Sequence, residues 1–129
     1  MILVDTSAWI DYLRGTGSAV HIELRRLIRR GEVAITEPVV MEVLSGARSE
    51  RHLSQLRDLL SIAALVQCES DDYREGAFLY RLCRAGGETV RSPFDCLIAA
   101  VAVRTGLAVL HRDRDFDALG RHTPLACHQ

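Results

Sequence analysis

The stretch Ile2-Leu3-Val4-Asp5-Thr6-Ser7, at the start of the chain, decides the fold class. Three consecutive apolar residues that end at an acid are typical of a short buried strand. Thr6 and Ser7 are residue types that cap helices, so we expect a helix to begin there. A buried strand that leads directly into a helix is the repeating unit of α/β proteins with a parallel sheet.

The same alternation of short strands and helices continues along the chain. Apolar runs predict further strands over residues 33–35, 62–66 and 108–110, and an edge strand over 124–126, where a proline is tolerated. Apolar residues at helical spacing predict helices over 18–31, 38–46, 53–60, 71–84, 92–106 and 113–119. These patterns predict a three-layer α/β/α fold with a short parallel sheet of four to five strands, formed by a single domain over residues 1–129.

Composition narrows the classes of function. The 129 residues are 48% hydrophobic and 26% charged, as expected for a folded soluble protein, and the net charge of −1 gives no overall basic excess for nucleic-acid binding. The chain contains no lysine, which excludes mechanisms that depend on one. We expect a cytoplasmic protein without a membrane span, because the start lacks a basic signal region and no apolar run approaches the required length of about 18 residues.

Four carboxylates fall at the positions where α/β sheets bind ligands, just beyond the carboxyl ends of strands. Asp5 closes the first strand, and Asp113 follows the fourth. Glu42 and Asp95 lie in the first turns of helices and border their apolar faces. The sequence therefore predicts that four acids converge at one edge of the sheet.

Three of these acids also have a purely structural explanation, whereas Asp5, at the end of a buried strand, needs a partner or a cation to offset its desolvation. Asp95 could complete a capping box with Ser92, Glu42 could be a charge at the rim, and Asp113 could belong to a solvated acidic turn. Convergence favours a metal site, because four carboxylates repel one another unless a divalent cation lies between them. A set of oxygen ligands without paired histidines or thiolates favours Mg²⁺, with Mn²⁺ as a substitute.

Four stretches carry a resemblance to a known family, and they are Val4-Asp5-Thr6-Ser7-Ala8-Trp9-Ile10-Asp11, Glu37-Pro38-Val39-Val40-Met41-Glu42-Val43-Leu44-Ser45-Gly46, Asp95-Cys96-Leu97-Ile98-Ala99-Ala100 and His111-Arg112-Asp113-Arg114-Asp115-Phe116. In order and spacing they resemble the PIN domain, specifically the VapC-type toxins of bacterial toxin–antitoxin pairs. The resemblance covers nearly the whole chain.

The resemblance implies a catalytic and metal-binding quartet of Asp5, Glu42, Asp95 and Asp113. It also implies that Asp115 supports the quartet and that the hydroxyl of Thr6 or Ser7 contacts metal-bound water or phosphate. Arg112, beside Asp113, is a candidate phosphate contact.

The expected activity is that of an Mg²⁺-dependent endoribonuclease that cuts structured RNA, tRNA in particular, and so inhibits translation. The expected partners are the RNA, a cognate VapB antitoxin and a second copy of the chain. An alternative is a catalytically silent PIN-like module that only binds the antitoxin or RNA. Receiver domains and haloacid-dehalogenase-like phosphatases fit less well, since both use a lysine and the chain has none.

Overall fold

The computed structural model describes residues 1–128, which form a parallel sheet between two layers of helices. The elements in chain order are β1 (Ile2–Val4), α1 (Thr6–Leu13), α2 (Ala19–Arg30), β2 (Val33–Ile35), α3 (Glu37–Ser45), α4 (Glu50–Leu60), β3 (Ala64–Leu65), α5 (Ser70–Ala85), α6 (Pro93–Thr105), β4 (Ala108–Leu110) and α7 (Arg114–His122). The predicted three-layer α/β/α fold is therefore confirmed.

The sheet has the strand order β3-β2-β1-β4, and all neighbouring strands are parallel. β1 pairs with β4 in the register Leu3 to Val109, and with β2 in the register Leu3 to Ala34. From β1 the chain adds β2 and then β3 on one side of β1, and it later adds β4 on the opposite side of β1. The direction of strand addition therefore reverses between β1 and β4. Such a reversal opens a crevice at the carboxyl ends of the two strands.

The helices form two groups according to their contacts. In the first group α1 contacts α2 and α3, and α3 contacts α4; in the second, α5, α6 and α7 contact one another. Right-handed crossovers place the connections toward β2 and β3 on one face of the sheet and the return to β4 on the other. Helix α6 lies almost entirely within the core, with eight consecutive buried residues from Asp95 to Ala102. None of the helices in residues 1–128 is long and apolar enough to cross a membrane.

Two local predictions need correction. The predicted edge strand over 124–126 is replaced by one bridge between Val109 and Cys127, because this segment, as far as residue 128, meets β4 only through the Ala126 carbonyl and the His128 N–H, which both bond to Val109. The N-cap of α1 is Asp5, whose carboxylate accepts a hydrogen bond from the Ser7 N–H, and Thr6 and Ser7 lie inside the helix. An aspartate caps a helix as well as a threonine or a serine does.

Candidate metal centre

Asp5 lies where β1 ends and α1 begins, and only 3% of its surface is exposed. Its Oδ2 accepts hydrogen bonds from the backbone N–H of Ser7 at 2.9 Å and from the Ser7 hydroxyl at 2.6 Å. Its Oδ1 is buried and has no hydrogen-bond partner among residues 1–128. Burial raises the pKa of Asp5 despite the hydrogen bonds from Ser7. A buried carboxylate oxygen without a partner is costly unless a cation or a proton meets it.

Asp95 lies in the first turn of α6 and is buried. Burial, a hydrogen bond to Asp115 and the negative charges of Asp5 and Asp113 raise the pKa of Asp95 to about 9. The predicted capping box does not form within the described part of the chain, since Ser92 makes no side-chain cap bond. Without a metal, Asp95 therefore carries a proton at neutral pH.

Asp113 and Asp115 follow β4, the strand that pairs with β1, and lie at the start of α7. Asp113 is the N-cap of α7, and its Oδ1 accepts hydrogen bonds from the Asp115 N–H at 2.9 Å and from Arg91 Nη2 at 3.1 Å. Asp115 is buried and accepts the N–H groups of Arg91 and Ser92, each at 3.2 Å. Burial acts to raise the pKa of Asp115, but hydrogen bonds from Asp95, Arg91 and Ser92 outweigh it and lower that pKa.

These acids form one cluster. One carboxylate oxygen from each of Asp95, Asp113 and Asp115 lies within 4.8 Å of the other two. Asp5 borders the cluster closely enough for its charge to act on Asp95 and for that of Asp113 to act on Asp5. The available ligand atoms are carboxylate oxygens, and one of them, Asp5 Oδ1, has no hydrogen-bond partner within residues 1–128. Such a set of ligands suits a hard divalent cation such as Mg²⁺ or Mn²⁺.

Glu42 stands apart from this cluster. It lies on the exposed side of α3, and its Oε1 accepts a hydrogen bond of 2.8 Å from the Thr6 hydroxyl. Thr6 follows Asp5 directly, so this bond fixes the Glu42 carboxylate at the rim of the crevice. The sequence predicted that Glu42 and Asp5 share one edge of the sheet, and the structure adds Thr6 as the link between them.

Ser7 and Arg112 connect the first strand to the loop after β4. The Ser7 hydroxyl, which donates to Asp5, accepts the Arg112 N–H at 2.9 Å. The Arg112 guanidinium forms an ion pair with the buried Asp11, which also accepts a hydrogen bond from Ser18. Sequence reasoning missed this role of Asp11, and its only signal was an acid on the buried side of α1. Ser7 and Asp11 thereby tie the Asp113 loop to the Asp5 helix.

Comparisons with known proteins agree on one family. Residues 2–122 match the PIN domain. The chain is 46% identical over 128 residues to VapC ribonuclease Mb1587 of Mycobacterium bovis and to Ribonuclease VapC11 of Mycobacterium tuberculosis, and the alignment covers 97% of this chain and 96% of each relative.

Among solved structures, VapBC2 from Rickettsia felis, bound to a DNA fragment from its promoter, superposes with a TM-score of 0.79. The match covers 99% of this chain and 98% of that one at 18% sequence identity, so it supports the fold alone. The family is therefore established by the sequence matches and the fold by the structural one: the chain belongs to the PIN domain family and, within it, to the VapC ribonucleases.

Proposed function

We propose that the chain is an Mg²⁺-dependent endoribonuclease toxin, formed by one PIN-like domain over residues 1–129, that hydrolyses phosphodiester bonds of tRNA in the cytoplasm and thereby inhibits translation. The observation that carries the proposal is the buried Oδ1 of Asp5, which has no hydrogen-bond partner within residues 1–128 and lies beside the cluster of Asp95, Asp113 and Asp115. The names of the two VapC relatives support ribonuclease activity.

Asp5, Asp95 and Asp113 would hold the cation directly, and Glu42 would position water or hold a second ion. Bound Mg²⁺ supplies a lowered pKa for water and stabilises the charge that develops on the phosphate. Asp115 serves as a supporting residue, because N–H donors from Arg91 and Ser92 already hold its oxygens. Ser7 orients Asp5, and Thr6 orients Glu42. Water is the nucleophile, so RNA without a 2′-hydroxyl at the cut is expected to react.

The proposed partners follow from the same family membership. The solved relatives include VapBC toxin–antitoxin complexes, which supports a cognate VapB antitoxin as the neutralising partner. We also propose a homodimer. The antitoxin is expected to abolish RNA cleavage when it is added to the purified chain.

Incubation of total tRNA with the purified chain tests the proposed activity. We expect discrete fragments with 5′-phosphates in Mg²⁺, no fragments in EDTA, and at least about a hundredfold loss of rate for Asp5→Asn, since a metal ligand contributes several kcal/mol to catalysis. Asp117→Asn is the control for the same change of residue type, because Asp117 is an exposed acid of α7, two residues beyond Asp115, and lies outside the cluster.

Three results would contradict parts of the proposal. Intact tRNA together with measurable Mn²⁺ binding would rule out tRNA as the substrate, and ribosomal RNA and mRNA would be tested next. If the chain bound Mn²⁺ and cut none of the three, it would be the silent binding module. If it bound no divalent cation, the metal centre itself would be wrong.

A further inference from the structure

Arg91 places a positive charge against two of the three clustered carboxylates. Its Nη2 lies 3.1 Å from Asp113 Oδ1, and its Nε lies 3.4 Å from Asp115 Oδ1. The Arg91 side chain is 59% exposed, whereas the Asp115 side chain is 6% exposed. The guanidinium therefore approaches the cluster from solvent, with room to leave it.

The two carboxylates depend on this guanidinium to different degrees. Asp115 is also held by the backbone N–H groups of Arg91 and Ser92, which any residue other than proline would supply. Asp113 receives no such backbone donor from this segment, and its contact with Arg91 is through the side chain alone. Removal of the guanidinium therefore leaves Asp115 in place and frees an oxygen of Asp113.

That oxygen is one that a divalent cation would use. Asp113 Oδ1 already accepts the Asp115 N–H at 2.9 Å, so a cation and the guanidinium would compete for its remaining lone pair. Two positive charges at one carboxylate also repel each other. Metal binding at Asp113 is consequently coupled to departure of the Arg91 side chain.

A pocket beside Arg91 offers space for its side chain after it leaves Asp113. Its volume is about 290 Å³, and it is lined by Glu88, Thr89, Arg91, Arg114, Asp115, Ala118 and Arg121. Arg121 is held by Glu88, whereas Arg114 forms no ion pair within residues 1–128. A guanidinium that turned from Asp113 toward this pocket would lie near Arg114, and guanidinium groups can bind a phosphate in bidentate geometry.

We propose that the Arg91 guanidinium neutralises the cluster in the metal-free chain and leaves Asp113 when a divalent cation binds. It then contacts a phosphate of the RNA beside the cut. The first half concerns the metal alone. The second half rests on the proposed function.

Mn²⁺ titration of the RNA-free chain by calorimetry tests the first half. We expect Arg91→Gln to bind Mn²⁺ about two- to fivefold more tightly than the wild type, the fold-change expected for loss of an exposed ion pair. Arg91→Lys should fall between the two. Arg114→Gln, which removes an equal charge beside Asp113 without breaking an ion pair in the described chain, should change the affinity less.

Equal or weaker Mn²⁺ binding by Arg91→Gln would overturn the first half, because Arg91 would then simply support the ligands. Circular dichroism of each variant checks the fold, which the retained backbone N–H groups of residues 91 and 92 should preserve.

RNA cleavage kinetics in saturating Mn²⁺ tests the second half. We expect Arg91→Gln to raise KM about tenfold, as for loss of a charged hydrogen bond, and Arg29→Gln on the far helix layer to leave it unchanged. An unchanged KM for Arg91→Gln, or a wild type that cleaves no RNA, overturns this half. In the latter case the calorimetric result still decides the first half, so failure of the proposed function is distinguishable.

Discussion

At the scale of the residue, the carboxylates of the proposed metal centre repel one another in the metal-free chain. Three carboxylates have oxygens within 4.8 Å of one another, and a fourth, Asp5, has a buried oxygen without a partner in residues 1–128. The metal-free chain reduces this repulsion in two ways, through a proton on Asp95 and the guanidinium of Arg91. If the cluster is the proposed metal site, the metal-free fold is less stable than the metal-bound one.

Asp95→Asn is expected to stabilise the metal-free chain at neutral and alkaline pH. The pKa of Asp95 is raised from 3.8 to about 9 in the folded state. Between these values the folded chain holds a proton that the unfolded chain has released, so the free energy of unfolding falls as pH rises. Asparagine does not titrate, so the variant does not lose free energy of unfolding in this way as pH rises. In EDTA at pH 8, we expect the variant to be more stable by at least about 1 kcal/mol.

Thermal unfolding of both proteins in EDTA from pH 5 to pH 9 measures this difference, which should grow with pH. Added Mn²⁺ should raise the Tm of the wild type more than that of Asp95→Asn, since the variant lacks a ligand. A variant that is less stable than the wild type in EDTA over the whole range would contradict the prediction.

At the scale of the element, helix α6 determines the position of Asp95. It is buried between the sheet and the other two helices of its layer. Gly76 of α5 packs directly against the backbone of α6. A Cβ atom at residue 76 would lie 3.2 Å from the Leu97 nitrogen and 3.3 Å from the Cys96 carbonyl. Backbone atoms of a buried helix cannot move aside as the end of a long side chain can.

Gly76→Val is therefore expected to destabilise the chain by about 2 kcal/mol, as for overpacking in a core, and to weaken Mn²⁺ binding because α6 and Asp95 must shift. Glu75→Val, at the exposed neighbouring position, introduces the same side chain on the solvent side of α5 and should lose less than about 1 kcal/mol, chiefly the lower helix propensity of valine. Urea unfolding and Mn²⁺ calorimetry measure both effects. Equal losses of stability in the two variants would show that the close approach does not matter.

At the scale of the whole molecule, an apolar groove on α5 and α6 offers a surface for the proposed homodimer. Its volume is about 470 Å³, and its lining includes Tyr73, Ala77, Tyr80, Phe94 and Leu97. Tyr73 is 63% exposed. An exposed apolar surface of this kind is typical of a protein–protein contact.

Tyr73→Asp is expected to convert the dimer into a monomer, because a charge would be buried in the contact. Light scattering during gel filtration should give twice the chain mass of 14.4 kDa for the wild type and a single chain mass for the variant. Ile22→Asp, an equally exposed apolar position on the other helix layer, is the control and should remain dimeric. A monomeric wild type at micromolar concentration would rule out this dimer.

Much of the fold could be predicted from local patterns. The apolar runs ending at Val4 and Leu110 are strands, and the segment after Ser92 is the buried helix that carries Asp95. These predictions succeeded because strand and helix periodicity is a property of neighbouring residues. The 62–66 run contains the two-residue strand Ala64–Leu65, since pairing with β2 rather than hydrophobicity decides where the strand ends.

By itself, the sequence determined the α/β class and the placement of acids beyond strand ends. The tertiary structure alone decided that backbone N–H groups of Arg91 and Ser92 hold the buried Asp115, that Thr6 binds Glu42, and that Arg91 reaches two carboxylates. The reason is that such contacts depend on which strands are neighbours and in what register. The pairing of β1 with β4 joins residues about a hundred positions apart, and no local pattern specifies that pairing.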